Sequence, residues 1–423
     1  LCACPQEDNM FIPAYRDSLR SSVLRHSADA YVGYLKHHQY CPATIRAYLH
    51  SIEHFARWVS RRHIPLSSID ESLTRRFVIE HLSVCRCPDP CQRSINSVRP
   101  ALAHLLHVLR EEGDLSGPRA FPLLVQEELE RFDIHLDSVC GVAPNTRVSR
   151  RQWVGKFLTD QFGSAPIDID RIHSSDIVEF IVRPTNHYRT GTLSVLGGAL
   201  RSYLRFRAVS CGDKVEALLA AVPTVAKWRL DTVPKHLTTD EVAGLLGAID
   251  QHNPSGRRDY AMTRCLLDMG LRVSEVAAIQ LDDLNWREGT LTITHGKSRR
   301  SDVLPLPVTT GKAIVQYVRC ARPPSTSRAL FVRHRAPFNT PITVELVRGV
   351  IRRAFGRCGL GDHYTGTHVL RHTAAVRMRC AGASLKEVAD VLRHRSLDTT
   401  MIYSKVDLPR LATVAAPWPG GLS

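Results

Sequence analysis

Two prolines open the same pattern twice, and that repetition limits what the chain can become. Pro42-Ala43-Thr44 begins a helical run with Tyr48, Ile52 and Phe55 on one face, and Pro144-Asn145-Thr146 begins another with Arg150, Val154 and Phe157 at the same offsets. Proline suits the first turn of a helix, where its missing N–H has no partner to lose. Each run is followed by a proline-containing loop, Ile64-Pro65-Leu66 and Ala165-Pro166-Ile167. Each unit ends in a further amphipathic helix: Ala101, Leu102, Leu105 and Leu106 match Ala199, Leu200, Tyr203 and Leu204 in spacing. A shared order of this length predicts a duplicated all-α unit, with roughly four helices per copy. The first copy is expected over 11–115 and the second over 121–228, with Ser116-Gly117-Pro118 as the break. Residues 1–10 form an N-terminal extension.

A different pattern follows. Arg229 to Lys235, with Pro234, reads as an exposed linker, and residues 236–410 as a third, mixed domain. Thr238-Thr239-Asp240-Glu241 is a capping box. Asp259 to Met269 is expected to be a helix stopped by Gly270. Thr290–Thr294 and Asp302–Leu306 alternate as strands, with the basic turn Gly296 to Ser301 between them. From Val308 onward the pattern is helical, with stops at Gly359 and Gly382. Leu408, Leu411 and Val414 form an apolar stripe before a tail, 411–423, that ends in Pro417, Pro419 and Gly420-Gly421. The fold class is therefore mainly α, with one small β-sheet in the third domain.

Charge narrows the partner. Lys and Arg number 56 against 41 Asp and Glu, a formal net charge of +15. Such an excess suits a polyanion, because each cation placed on a phosphate backbone releases a counterion. Arg46, Arg57, Arg61 and Arg62 crowd the first unit and Arg147, Arg150, Arg151 and Lys156 the second; Arg299 and Arg300 lie in the basic turn. These are the candidate phosphate contacts. No run of 18 apolar residues is present and no secretory pattern opens the chain. A cytoplasmic, DNA-associated protein is expected.

The 12 cysteines read as reduced thiols, with Cys265, Cys320, Cys358 and Cys380 expected in buried helix faces. Cys85, Cys87 and Cys91 form the one cluster. Its C-x-C-x3-C spacing fits no common zinc site and no histidine pair follows at finger spacing, so no metal is expected there.

Five features carry chemistry in the third domain: Gly270-Leu271-Arg272-Val273-Ser274-Glu275, His295-Gly296-Lys297, His368-Val369-Leu370-Arg371-His372, Leu392-Arg393-His394-Arg395-Ser396, and Thr399-Thr400-Met401-Ile402-Tyr403. Singly each is weak; in this order, within one domain, they resemble the tyrosine recombinase, or phage integrase, family. The resemblance is dense from Lys235 to Asp407. The second segment resembles the family's helical, SAM-like core-binding domain, and the first a further copy of it. Arg393 departs from the family pattern, which commonly has Gly before this histidine.

The resemblance implies a site-specific DNA recombinase of bacterial mobile-element type, with Tyr403 as the nucleophile forming a 3′-phosphotyrosine. Arg272 and Arg371 would clamp the phosphate, since a guanidinium offers a planar fork of donors and stays charged. Lys297 would protonate the leaving 5′-oxygen, His368 would exchange the proton of Tyr403, and His394 would bond the phosphate. No cofactor is implied, because no carboxylate cluster suits a two-metal site. The implied partner is double-stranded DNA, bound by a homotetramer on two sites or with partner recombinases of the same element. Two other readings stay open on the residues alone: a type IB topoisomerase-like enzyme, and a non-catalytic DNA-binding accessory protein of the same fold.

Overall fold

The computed structural model describes residues 24, 26–87, 91–113, 115, 121–183, 188, 190–211, 213–224, 234–294, 301–394, 396 and 399–406. The chain divides into two compact units, residues 1–34 with 42–228, and residues 229–423 with the short stretch 35–41. No helix among the described residues is long and apolar enough to cross a membrane.

The helices of the first unit are α1 (Ala28–His37), α2 (Pro42–Arg61), α3 (Glu71–Arg76), α4 (Ile95–Glu111), α5 (Leu123–Ser138), α6 (Pro144–Phe162), α7 (Ser174–Val182), α8 (Thr190–Cys211) and α9 (Asp213–Ala221). α3 starts at Asp70, whose carboxylate accepts from the Leu73 N–H at 2.7 Å, and it runs on into a π-helical turn, Phe77–His81. α2 packs on α4, and Tyr31 donates its hydroxyl to the Ala101 carbonyl at 3.0 Å. The aromatic centre of this part is Phe55, Trp58 and Phe77, all buried, with Phe55 and Phe77 edge to face at 5.2 Å. A separate core, including Phe132, Phe157, Leu200 and Tyr203, is drawn wholly from residues 121–222. In both halves a short 3-10 turn (Leu66–Ser68, Ile169–Arg171) follows the proline-opened helix, and a short helix and a long one come next. The half from Leu123 to Ala221 adds α9, giving it five helices against four before it among the described residues.

The second unit contains α10 (Thr239–Gly247), α11 (Pro254–Asp268), α12 (Val273–Ala278), strands β1 (Leu284–Asn285), β2 (Thr290–Ile293) and β3 (Asp302–Pro305), then α13 (Val308–Cys320), α14 (Val344–Arg357), α15 (His368–Cys380), α16 (Leu385–Leu392) and a 3-10 helix, Met401–Val406. The sheet is antiparallel in the order β1-β2-β3, with Thr290 opposite Pro305 and Ile293 opposite Asp302. α10 starts on the expected capping box: Glu241 N–H donates to Thr238 Oγ1 at 3.2 Å, and Thr238 N–H to the Glu241 carboxylate at 2.8 Å.

α11 is the spine, packing on both α13 and α15 and burying Met262, Cys265 and Leu266. It begins a turn before the expected Asp259. Asn253 caps it, its side chain accepting from Gly256 N–H at 2.7 Å, and Pro254 takes the first helical position. Of the four cysteines expected inside, Cys265 is buried and Cys358 half-buried, but Cys320 and Cys380 are exposed. Both exposed thiols are the last residues of their helices, where the chain turns off the core. Residues 295–300, which hold all of the basic turn but Ser301, and the stretch 407–423, with the apolar stripe at Leu408, Leu411 and Val414, lie outside the described residues.

Candidate active site

The site begins at the end of α11. Gly270 has φ +60, a left-handed conformation that suits glycine, and a Cβ here would stand 2.5 Å from Leu392 Cδ2. Both demands select glycine at the stop. The chain then turns sharply and Arg272 becomes the residue before α12. Its N–H donates to Glu275 Oε2 at 2.7 Å and its Nη1 to Glu275 Oε1 at 2.8 Å, which fixes the guanidinium beside the helix start. Arg371, on the first turn of α15, is 5% exposed. It donates Nη1 to the Gly270 carbonyl at 2.5 Å and Nη2 to the Leu392 carbonyl, tying the α11 stop to the end of α16. Burial, with Arg272 next to it, brings its pKa down to about 10, so it remains a cation at neutral pH.

Glu275 holds a second cation. Arg393 donates Nη2 to its carboxylate at 2.5 Å, and both side chains are nearly inaccessible. Arg393 ends α16 with φ 54 and ψ 51, again left-handed. That backbone explains why glycine suits this position. An arginine here is held by an ion pair with the carboxylate that also orients Arg272, so it does not point at the cleft as a further phosphate donor.

Arg272, His368 and Arg371 line one cleft of about 370 Å³. Arg348 and Arg352, one turn apart on α14, line it too. The sequence reading did not single out these two arginines; their i,i+4 spacing on a helix with an otherwise apolar buried face was the available signal. His368 has its pKa lowered, first by burial and then by the Arg371 and Arg272 charges.

Tyr403 sits in the 3-10 helix after the cleft, 1% exposed, in a small core with Ala375, Val376, Val388 and Leu392. Its hydroxyl pairs with Nδ1 of His372 at 2.7 Å. The expected partner for the Tyr403 proton, His368, is one turn back on α15, its ring 6.2 Å from that of His372. Burial holds Tyr403 up at about 12 and His372 down at about 4, so the bond joins a neutral phenol to a neutral imidazole. His394 is also lowered to about 4, by burial and then by the surrounding arginines, and its Nδ1 pairs with Thr400 Oγ1 at 2.7 Å. Lys297, Arg299 and Arg300 lie outside the described residues.

The other basic candidates stand in the first unit, and several are tied to side chains of neighbouring helices. Arg147 forks onto Asp133 at 3.1 and 3.0 Å and also meets Asp137, because these carboxylates are one turn apart on α5. Arg151 lies 3.7 Å from Asp133, Arg150 donates to Ser202 at 3.1 Å, and Arg57 lies 3.6 Å from Glu53. Lys156 rests over Trp153, 4.6 Å from the ring centre, and Arg46 is half-buried on α2.

Residues 235–409 match the family described as the phage integrase family. A putative integrase/recombinase, y4rA, of Sinorhizobium fredii is 34% identical over 86% of this chain and 87% of its own length. Among solved structures, the XerH site-specific recombinase bound to its palindromic difH substrate is similar at a TM-score of 0.55 and 20% identity, over 68% of this chain and 84% of that one. The Tn1549 transposon integrase in complex with a circular intermediate DNA is similar at a TM-score of 0.52 and 18% identity, over 67% of this chain and 99% of that one. The chain belongs to the phage integrase, or tyrosine recombinase, family of site-specific recombinases.

Proposed function

We propose that this recombinase cuts and rejoins double-stranded DNA through a 3′-phosphotyrosine on Tyr403. The observation that carries the reading is the single cleft shared by Arg272, His368 and Arg371, with Tyr403 hydrogen-bonded one turn further along the helix that supplies two of them. Phosphoryl transfer asks the protein for charge on the non-bridging oxygens, an aligned nucleophile, and proton traffic at both ends. The two guanidiniums supply the first. The phenol oxygen forms a bond to phosphorus as the bond to the 5′-oxygen breaks, His372 takes the phenol proton, and Lys297 protonates the leaving oxygen. The 5′-hydroxyl of another strand reverses these steps, so no external energy source is needed. His394 and His368 complete the donors around the phosphate.

The buried, protonated Tyr403 is a resting arrangement, released toward the cleft when a phosphate fills it. The Tn1549 complex supports DNA as the partner and a mobile element as the setting. A four-subunit assembly on two sites, and two copies of the helical DNA-binding unit before the catalytic domain, complete the reading. Arg348 and Arg352 join Arg272 as phosphate contacts on the approach to the cleft.

The test is covalent trapping on a nicked suicide substrate. The wild-type chain gives a protease-sensitive 3′ adduct, and Tyr403→Phe binds the same DNA without forming one. An adduct with Tyr403→Phe would move the nucleophile elsewhere. Absence of any adduct with the wild-type chain would favour the accessory DNA-binding reading.

A further inference from the structure

The geometry points to a metal site that plays no part in the catalytic chemistry: we propose that His54, His81, Cys85 and Cys87 bind one zinc ion in the first unit. One donor atom from each lies within 4.8 Å of all the others. His54 Nε2 stands 3.0 Å from His81 Nε2, Cys85 Sγ 3.2 Å from His54 Nε2, and Cys87 Sγ 3.5 Å from His81 Nε2. A tetrahedral zinc ion, with Zn–N about 2.0–2.1 Å and Zn–S about 2.3 Å, sets its nitrogens about 3.3 Å apart and nitrogen from sulfur about 3.6 Å apart. The three distances above stand close to those separations, and the four donors together lie within 4.8 Å of one another.

The surroundings fix the donors. His54 is fully buried, and its Nδ1 faces the Gln92 carbonyl at 3.1 Å. A carbonyl accepts only, so Nδ1 carries the proton and Nε2 presents its lone pair to the cluster. The Cys87 N–H points at Cys85 Sγ at 3.3 Å, a hydrogen bond that favours the thiolate over the thiol. Phe77 covers one side of the pair, 5.0 Å from the His54 ring and 5.2 Å from that of His81. Two imidazoles and two thiolates select zinc over calcium or magnesium. Cys91, despite its place in the sequence cluster, is not one of the four. Its Sγ stands beside Cys85 and faces Nδ1 of His54 at 3.2 Å, not the Nε2 that meets His81 and Cys85.

Sequence spacing hid the site because the histidines come before the cysteines and from separate elements. His54 is inside α2, and His81 is the last residue of the π-helical turn, four positions before Cys85. The extra backbone residue of a π-turn redirects the side chain that follows it. The ion would staple α2 to residues 81–87, giving a small bundle a cross-link that its core alone does not provide.

Metal content of the full chain, purified under reducing conditions without chelator, tests this. About one zinc per chain is expected, as for a closed four-ligand site. Cys85→Ser with Cys87→Ser, and His81→Asn, should lose it, whereas Cys91→Ser and the distant Cys140→Ser should keep it. Replacement by cobalt in the wild-type chain, which does not depend on a variant folding, should give thiolate-to-cobalt charge-transfer absorption and the intense visible bands of a four-coordinate ion. Zinc well below one per chain together with no charge-transfer band overturns the proposal. So does a Cys85–Cys87 disulfide in the freshly purified protein, or full zinc in the double cysteine variant.

Discussion

Arg393 shows how one residue settles a conflict between backbone and charge. Its φ of 54 is strained for any residue with a Cβ, at about 1 kcal/mol. Against that stands a buried ion pair with Glu275, and stripping one partner from such a pair costs about 3 kcal/mol or more. The second effect is larger, so Arg393→Gly should destabilise the end of α16 by about 2 kcal/mol, although glycine suits the backbone. Amide hydrogen exchange in α16 reads this directly: roughly 30-fold faster exchange is expected, and slower exchange would show that strain outweighs the ion pair. Arg272 should be affected with it, since Glu275 orients both guanidiniums. The sequence showed that Arg393 was unusual. It could not show Glu275 as the partner, because the two are 118 positions apart.

α15 concentrates the chemistry of the site. His368, Arg371 and His372 occupy its first two turns, while Val369, Leu370 and Ala374 bury the opposite side. Placing imidazoles there without their charge has a consequence for stability. His372 and His394 both have folded pKa values of about 4, below the ordinary 6.5. Between those values the unfolded chain binds protons that the folded chain does not, so stability is full above about pH 6.5 and falls as pH drops toward 4. His372→Asn removes one such group and should flatten the loss. Urea midpoints of the catalytic unit at pH 7.5 and pH 5 check this; an equal fall in the variant would assign the dependence to other groups. The pattern of α15 was legible as helix, and its H-x-x-R box stood out in the sequence. The role of His372 was not, because its bond to Tyr403 depends on where the 3-10 helix docks.

For the whole chain, charge and duplication set the expectations. A formal charge of +15 and arginines on both units predict binding that weakens steeply with salt. A fragment starting at Phe121 should still bind a core site, with a shorter footprint and a shallower salt dependence than the full chain. Unchanged footprint length would mean that the first copy does not touch DNA. Several arginines between residues 121 and 228 are held by carboxylates of their own bundle, Arg147 most firmly. Lys156, exposed above Trp153, is therefore the better placed cation there, because no carboxylate competes with a phosphate for it among its described contacts.

Local rules decided most of the elements. Pro42, Pro144, the Thr238 capping box, and the glycines at 270, 359 and 382 act within a turn of where they stand, so starts and stops followed from neighbours in the chain. The residue types of the site were equally legible, since phosphate chemistry requires arginine, histidine and tyrosine wherever the fold places them. Packing alone decided the partnerships: Tyr403 with His372, Arg393 with Glu275, and His54 with His81 and the cysteines. Each joins groups from different elements, and no periodicity in a single stretch specifies which faces of two elements will meet. That choice belongs to the buried cores, which form only when all the elements close together.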